Sequence, residues 1–258
     1  MTPSPLELCE DFLEHVPPRR NLGAVVTEGY LCVPRGPGGS VVQRIRLADG
    51  GQVHAAVKAI RTIARDAERR RAVWWVGELS TPDDLVDLLA AEGLRPDEGE
   101  PLLASLVLQR EPEGSPPPVE VVRVETVDDF IAAQEVDLIT MELPAEEWKR
   151  LSDGNRAQWE VVNSEGIVQT YLARAEGRPV AFARAAYGDA GVALLGGGTL
   201  AAERGNGYYT ALVHARWHDA VARGTPLLFT QAGKMSRPIL ERLGFERVGE
   251  IRLLVDDL

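Results

Sequence analysis

This chain of 258 residues is poor in cysteine, histidine, aromatic residues and base. Its two cysteines, Cys9 and Cys32, exclude a disulfide-rich scaffold and a four-cysteine zinc site. His214 and His218 stand four apart on an expected helix, a metal-compatible spacing, but no carboxylate motif accompanies them and no metal is expected. No stretch approaches the roughly 20 apolar residues of a membrane span. The start, MTPSPLELCEDFLEHV, lacks the basic head and apolar run of a signal peptide, so a reducing cytoplasm and no membrane partner are expected. Lys plus Arg (28) fall short of Asp plus Glu (39), leaving a net charge of −11. Without a surplus of base to neutralise phosphates, nucleic acid is not an expected partner. The acidity admits a cationic or amine-bearing substrate, and solubility alone also accounts for it.

What is present is an ordinary globular balance, 45% apolar and 26% charged. The clearest shift in composition is EPEGSPPP, residues 111–118. Three consecutive prolines fix φ and lack donors, so neither helix nor sheet runs through them. This segment is read as a linker between residues 1–110 and 119–258. The charge is evenly shared, 13 basic and 18 acidic groups (−5) up to residue 118 and 15 and 21 (−6) after it, so neither part is a charged tail.

Apolar periodicity gives the class as α/β, a mixed sheet flanked by helices. The first part reads as strand SVVQRIRLADG, a helix with Val53, Val57, Ile60 and Ala64 on one face, strand VWWVG, helix TPDDLVDLLAAEGL and strand LLASLVL. The second reads as strand EVVRVET, helix Val127–Asp137 and a helical stretch around AEEWKRLSDGNRAQWEVVNSEG. A hairpin turning at Gly177-Arg178 follows, then the apolar run GVALLGGGTL. A loop and helix over 205–224 bury Tyr209, Leu212, Val213, Trp217, Ala220 and Val221. Strand PLLFTQ, a helix capped by Ser236 and strand EIRLLVDD complete the pattern. The order strand–helix–strand–helix–strand occurs twice, and LLAAEGL lines up with ILERLGF, as in an internal duplication.

The chemistry sits in AAERGNGYYTAL, between an apolar strand and a helix. Gly205 and Gly207 let the chain turn so that successive N–H groups converge, and the helix start adds partial positive charge. Together they make a phosphate cradle. Thr210 stands where a dinucleotide fingerprint needs its third glycine, and no Gly-Lys-Ser/Thr follows, so neither nucleotide loop applies. Arg204-Gly205-Asn206-Gly207, with the helix behind it, resembles the pyrophosphate loop (R/Q-x-x-G-x-G/A) of the GNAT acetyltransferase superfamily. LLFTQAGKMSRPILERLGF, at the family's spacing, resembles its second motif, a strand and helix ending in Leu-Gly-Phe. Residues 1–110 resemble a degenerate copy, with ADGGQ in place of the Arg-Gly loop.

The resemblance implies a tandem GNAT-like acyl-CoA N-acyltransferase fold. It also implies direct transfer of an acetyl group from acetyl-CoA to a primary amine of a small-molecule or peptide acceptor. It puts Thr199 and Leu200 on the pantetheine arm and Arg204, Gly205, Asn206, Gly207, Tyr208 and Tyr209 at the pyrophosphate. For Tyr209, which occupies the family's last Gly/Ala position, a ring turned into the core is the alternative. The family's thiolate-protonating tyrosine corresponds to Leu240, and its common asparagine to Gly233. Tyr208 and Ser236 are the remaining candidate acids, against plainer roles as an interfacial aromatic and a helix cap. Glu142 and Trp148, with Glu146, Glu147 and Trp159, fall in the segment that shapes the acceptor pocket; an acidic helix start and core aromatics explain them as well. Binding of acyl-CoA without turnover, and a bulkier acyl donor, stay open. So does the choice between monomer and homodimer.

Overall fold

Alternating and continuous apolar runs build one mixed sheet, positioned by helices whose apolar stripes close its faces. The computed structural model describes residues 3–12, 24–35, 39–141, 149, 154, 157–160 and 166–258. Helix α1 (Pro5–Glu10) starts in a capping box, with the Ser4 hydroxyl on the Glu7 N–H and the Glu7 carboxylate on the Ser4 N–H. Strands β1 (Val25–Val26), β2 (Leu31–Arg35) and β3 (Gly39–Gln43) follow, then helix α2 (Gly50–Asp66) and β4 (Arg71–Val76). The α2 face is the expected one: Val53, Val57, Ile60 and Ala64 are buried. Helix α3 (Leu85–Ala91), β5 (Arg95–Pro96) and β6 (Leu102–Leu108) come next.

After residues 109–119 come β7 (Glu120–Arg123) and helix α4 (Val127–Thr140). Strands β8 (Val168–Ala175) and β9 (Arg178–Gly188) form the expected hairpin. Its turn residues are Glu176 and Gly177, at φ 48° and 77°, one position earlier than expected. Two consecutive left-handed residues match the twist of the strands they join. Strand β10 (Gly191–Thr199), a single 3-10 turn (Ala201–Glu203), helix α5 (Tyr208–Ala222), β11 (Leu228–Ala232), helix α6 (Arg237–Arg242) and β12 (Glu246–Asp257) complete the chain.

The strand order is β1-β2-β3-β4-β12-β6-β11-β10-β9-β8-β7, with β5 also on β12. Two parallel pairs, β3–β4 and β10–β11, are each bridged by a long helix, α2 and α5. Between them β12 pairs with β4, and β6 pairs with β11. Each strand therefore completes the pair that the other part of the chain supplies, and β12 and β6 pair with one another in the middle. No helix among the described residues is long and apolar enough to cross a membrane.

Side-chain alternation assigns the faces. Ala181, Ala183 and Ala185 of β9 join Leu212, Trp217, Leu240 and Phe245 under α5 and α6. On the opposite face Phe182 packs with Phe130 and Val136 of α4, and Ala186 with Leu8 and Cys9 of α1. Trp159 packs against Phe130, the ring centroids 5.5 Å apart and the planes tilted by 47°. Glu142, Glu146, Glu147 and Trp148, and most of the expected helical stretch around them, lie outside the described residues.

The cysteines are buried and unbridged. Burial pushes the Cys9 thiol up to about 12 and raises Cys32 as well. Both are therefore expected to resist Ellman's reagent in the native protein, with no speeding between pH 7 and pH 9, and to react in full once urea unfolds the chain. A thiol count of two without denaturant overturns this.

Candidate functional site

The site begins where the parallel pair β10–β11 opens. Pairing runs only through Val192–Leu228 and Ala193–Phe229, although both strands continue. Beyond it the Thr230 hydroxyl donates to the Leu194 carbonyl at 3.0 Å, replacing the next ladder bond. At that point Leu195 and Gly196 stand opposite the single residue Arg184 of β9, a bulge that bends β10 away from β11. Gly196 and Gly197 are exposed. The two strands therefore splay apart beyond Ala193.

At the far end of β10 the chain turns through Arg204-Gly205-Asn206-Gly207 into α5. Gly205 and Gly207 sit at φ 84° and 81°, the left-handed region that a glycine enters without cost. Gly207 is the N-cap residue and supplies no side-chain cap. The first amide of this stretch with an acceptor is Ala211, bonded to the Gly207 carbonyl at 3.0 Å. The N–H groups of residues 205–210 have no partner among the described residues. Free amides at the start of a 15-residue helix, with the helix dipole behind them, are donors of the kind an anion can accept from. Arg204, Gly205 and Asn206 are exposed, and Arg204 is tied back by its Nε to the Thr199 carbonyl at 3.3 Å. The one acid of the turn, Glu203, is met by Arg178 at 3.3 Å.

The other expected site residues fall as follows. Both main-chain groups of Leu200 are used inside the protein: its N–H donates to Val180 (2.9 Å) and its carbonyl accepts from Glu203 (2.8 Å). Its side chain packs beside the α4 cluster. Upstream of it, along Leu195–Gly198, β10 has no ladder pairing with β11. Tyr208 lies in the core cluster under α5, and Tyr209 packs against the same cluster. Tyr209 is half-buried beside Arg216, and burial pushes its phenol above the ordinary range against the pull of that guanidinium. Val221, expected on the buried face, is 50% exposed. Ser236 occupies the N-cap position of α6, but its hydroxyl makes no cap bond and reaches back to the Gly233 carbonyl at 3.5 Å. Leu240 is 1% exposed in the core. Gly233 lies under the Glu100 carboxylate, which accepts the Lys234 N–H at 3.0 Å.

Three contributors carry little or no local signal in the sequence. Thr230 is an ordinary strand threonine until its neighbour splays. The bulge is hinted at only by the run Gly196-Gly197-Gly198, and Glu100 reaches the site from a distant loop. His214 and His218 stack edge to face at 6.5 Å, and no third ligand joins them among the described residues.

The corresponding place in the first part of the chain is closed by the chain itself. Pairing of β3 and β4 runs through to Val42–Trp74. Past it Thr81 lies alongside: its N–H donates to Ile45, its carbonyl accepts from Leu47, and its hydroxyl donates to the Leu47 carbonyl. At the start of α2 the Asp49 carboxylate takes the Gln52 N–H at 2.9 Å. An anion of the protein already caps that helix.

This architecture is the tandem GNAT N-acyltransferase fold, a mixed α/β sheet flanked by helices. Among solved structures that share it is a GCN5-related N-acetyltransferase from Kribbella flavida, 19% identical, with a TM-score of 0.64 covering 96% of this chain and 93% of that one. A tandem GNAT protein from the clavulanic acid biosynthesis pathway is 16% identical, with a TM-score of 0.61 over 88% and 78%. A functionally unknown conserved protein from Staphylococcus epidermidis is 10% identical, with a TM-score of 0.64 over 90% and 92%. No family model and no curated protein matches the chain.

Proposed function

We propose that this protein is an N-acetyltransferase that takes its acetyl group from acetyl-CoA and passes it to an amine acceptor. The observation that carries the reading is the row of free amides over 205–210 at the open end of the β10–β11 splay. A pyrophosphate needs converging donors without bulky side chains between them, and this donor set fits one. Acetyl-CoA supplies the activated acetyl thioester. The chain's own part is to hold the phosphates at Arg204–Thr210, align an extended arm along Leu195–Gly198, and shield one side of the gap. Helices α5 and α6 cover that side, so the acceptor comes from the other face, between α1 on β11 and α4 on β10. Residues 1–110 and 119–258, joined by 111–118, are proposed as two copies of one unit, of which the second holds the cofactor. Their shared element order supports this.

A second reading is binding of acyl-CoA without turnover. It is favoured by Leu240, an apolar core residue where the resemblance implies a proton donor, and by the core position of Tyr208.

Calorimetric titration with acetyl-CoA tests the common ground. One molecule is expected to bind per chain, because Thr81 and Asp49 fill the other candidate cradle. No heat at millimolar cofactor removes both readings, and a stoichiometry of two removes the account of the closed half. Release of free thiol with a panel of amines then separates transfer from binding alone.

A further inference from the structure

Resting on the proposed cofactor site, we infer that the proline-rich segment 111–118 is a strap belonging to that site, with Pro117 as the positioning residue for its loop. Topology makes a crossing unavoidable. Strand β6 ends in the middle of the sheet beside the start of β11, whereas β7 begins on its far edge, five strand positions away. At about 4.8 Å per strand the sideways distance is about 24 Å. Residues 109–119 reach about 38 Å at full stretch, and they must also climb from one end of the strands to the other. Three consecutive prolines keep such a segment extended.

The strap's contacts mark its path. Arg110 pairs with Glu113 at 3.2 Å, and the Glu113 N–H donates to the Leu243 carbonyl at the end of α6 at 2.9 Å. Pro112 is buried. At the upper end Pro117 rests on Gly207. A Cβ placed on Gly207 would come within 2.8 Å of Pro117 Cγ and 3.3 Å of its Cβ. The Val119 N–H then turns back onto the Pro117 carbonyl at 2.8 Å.

Gly207 is thus held from two sides: its left-handed backbone aims the amides at the head of α5, and the pyrrolidine ring covers its α-carbon. A glycine without that cover samples many conformations, and the amides it orients scatter with it. The ring acts through the loop and touches no reacting atom.

The test compares full-length wild type with Pro117→Gly, Pro117→Ala and the control Ala91→Gly, exposed at the end of α3. The readouts are the calorimetric Kd for acetyl-CoA and the 15N order parameter of Gly207 without ligand. Pro117→Gly is expected to raise Kd about tenfold and to lower the order parameter, while Ala91→Gly stays within twofold of wild type. A Pro117→Gly protein that binds like wild type overturns the inference. A double-mutant cycle in Tm keeps it testable should wild type bind no acetyl-CoA, which would instead remove the functional reading. Gly207→Ala should then cost less in the Pro117→Ala background than in wild type, because the 2.8 Å clash with Cγ is removed and only the 3.3 Å contact with Cβ stays, and additive effects overturn the inference.

Discussion

Gly205→Asp is expected to weaken acetyl-CoA binding about 30-fold relative to Gly205→Asn. Both replacements tolerate the left-handed backbone better than other side chains, so the strain at φ 84° is shared by the pair. Both also have room, since no heavy atom lies within 4 Å of a Cβ built there. The difference between them is one negative charge placed in the cradle. At about 5 Å and an effective dielectric of about 33, the one phosphate charge nearest to it costs about 2 kcal/mol, or about 30-fold in Kd. The gap should narrow as ionic strength rises. Equal affinities for the two variants would mean that the phosphates do not sit on this loop. Gly207 is the poorer place for the experiment, because any side chain there collides with Pro117 before it meets a ligand.

Trp74→Ala is expected to cost about 3–5 kcal/mol, and to cost it everywhere at once. Trp74 is fully buried between β4 and the helices of the first part, opposite Leu254 of β12. Because β12 is bonded to β4 on one side and β6 on the other, and β6 to β11, loosening β4 propagates to α5. Urea unfolding followed by far-UV circular dichroism should show one transition shifted to lower urea. Amide exchange of Leu212 and Val213 in α5 should accelerate in step. Two separate transitions, with α5 protection untouched, would show that the two parts of the sheet are energetically independent.

Much of this was legible in the sequence where a pattern is local. The α2 stripe, the β8–β9 hairpin and the glycine loop before α5 follow from spacing and from backbone restrictions that one or two residues impose. Helix α5 was harder to orient. It buries Tyr208, four consecutive residues from Ala211 to His214, and Arg216, Trp217 and Ala220, so it is covered on most sides. A helix covered that way has no sharp apolar stripe, and Tyr208 joins Tyr209 against the core. Helix α1 is too short for periodicity, though its Ser4–Glu7 capping box is a readable start signal. The exchange of β6 and β12 was not legible at all, since a strand's alternation states which face it buries and not which neighbour it joins. The same holds for the strap: three prolines announce an extended segment, but Pro117 becomes part of the loop only through the distance the chain must cross.

The exchange also sets an order of events during synthesis. Strands β4 and β6 leave the ribosome well before β12, the strand that belongs between them. Until it arrives each has an unpaired edge of apolar sequence, RAVWWV and LLASLVL, of the kind that templates association with other chains. The first half of this sheet is therefore a late product of translation, and in a growing chain it is the half in need of protection.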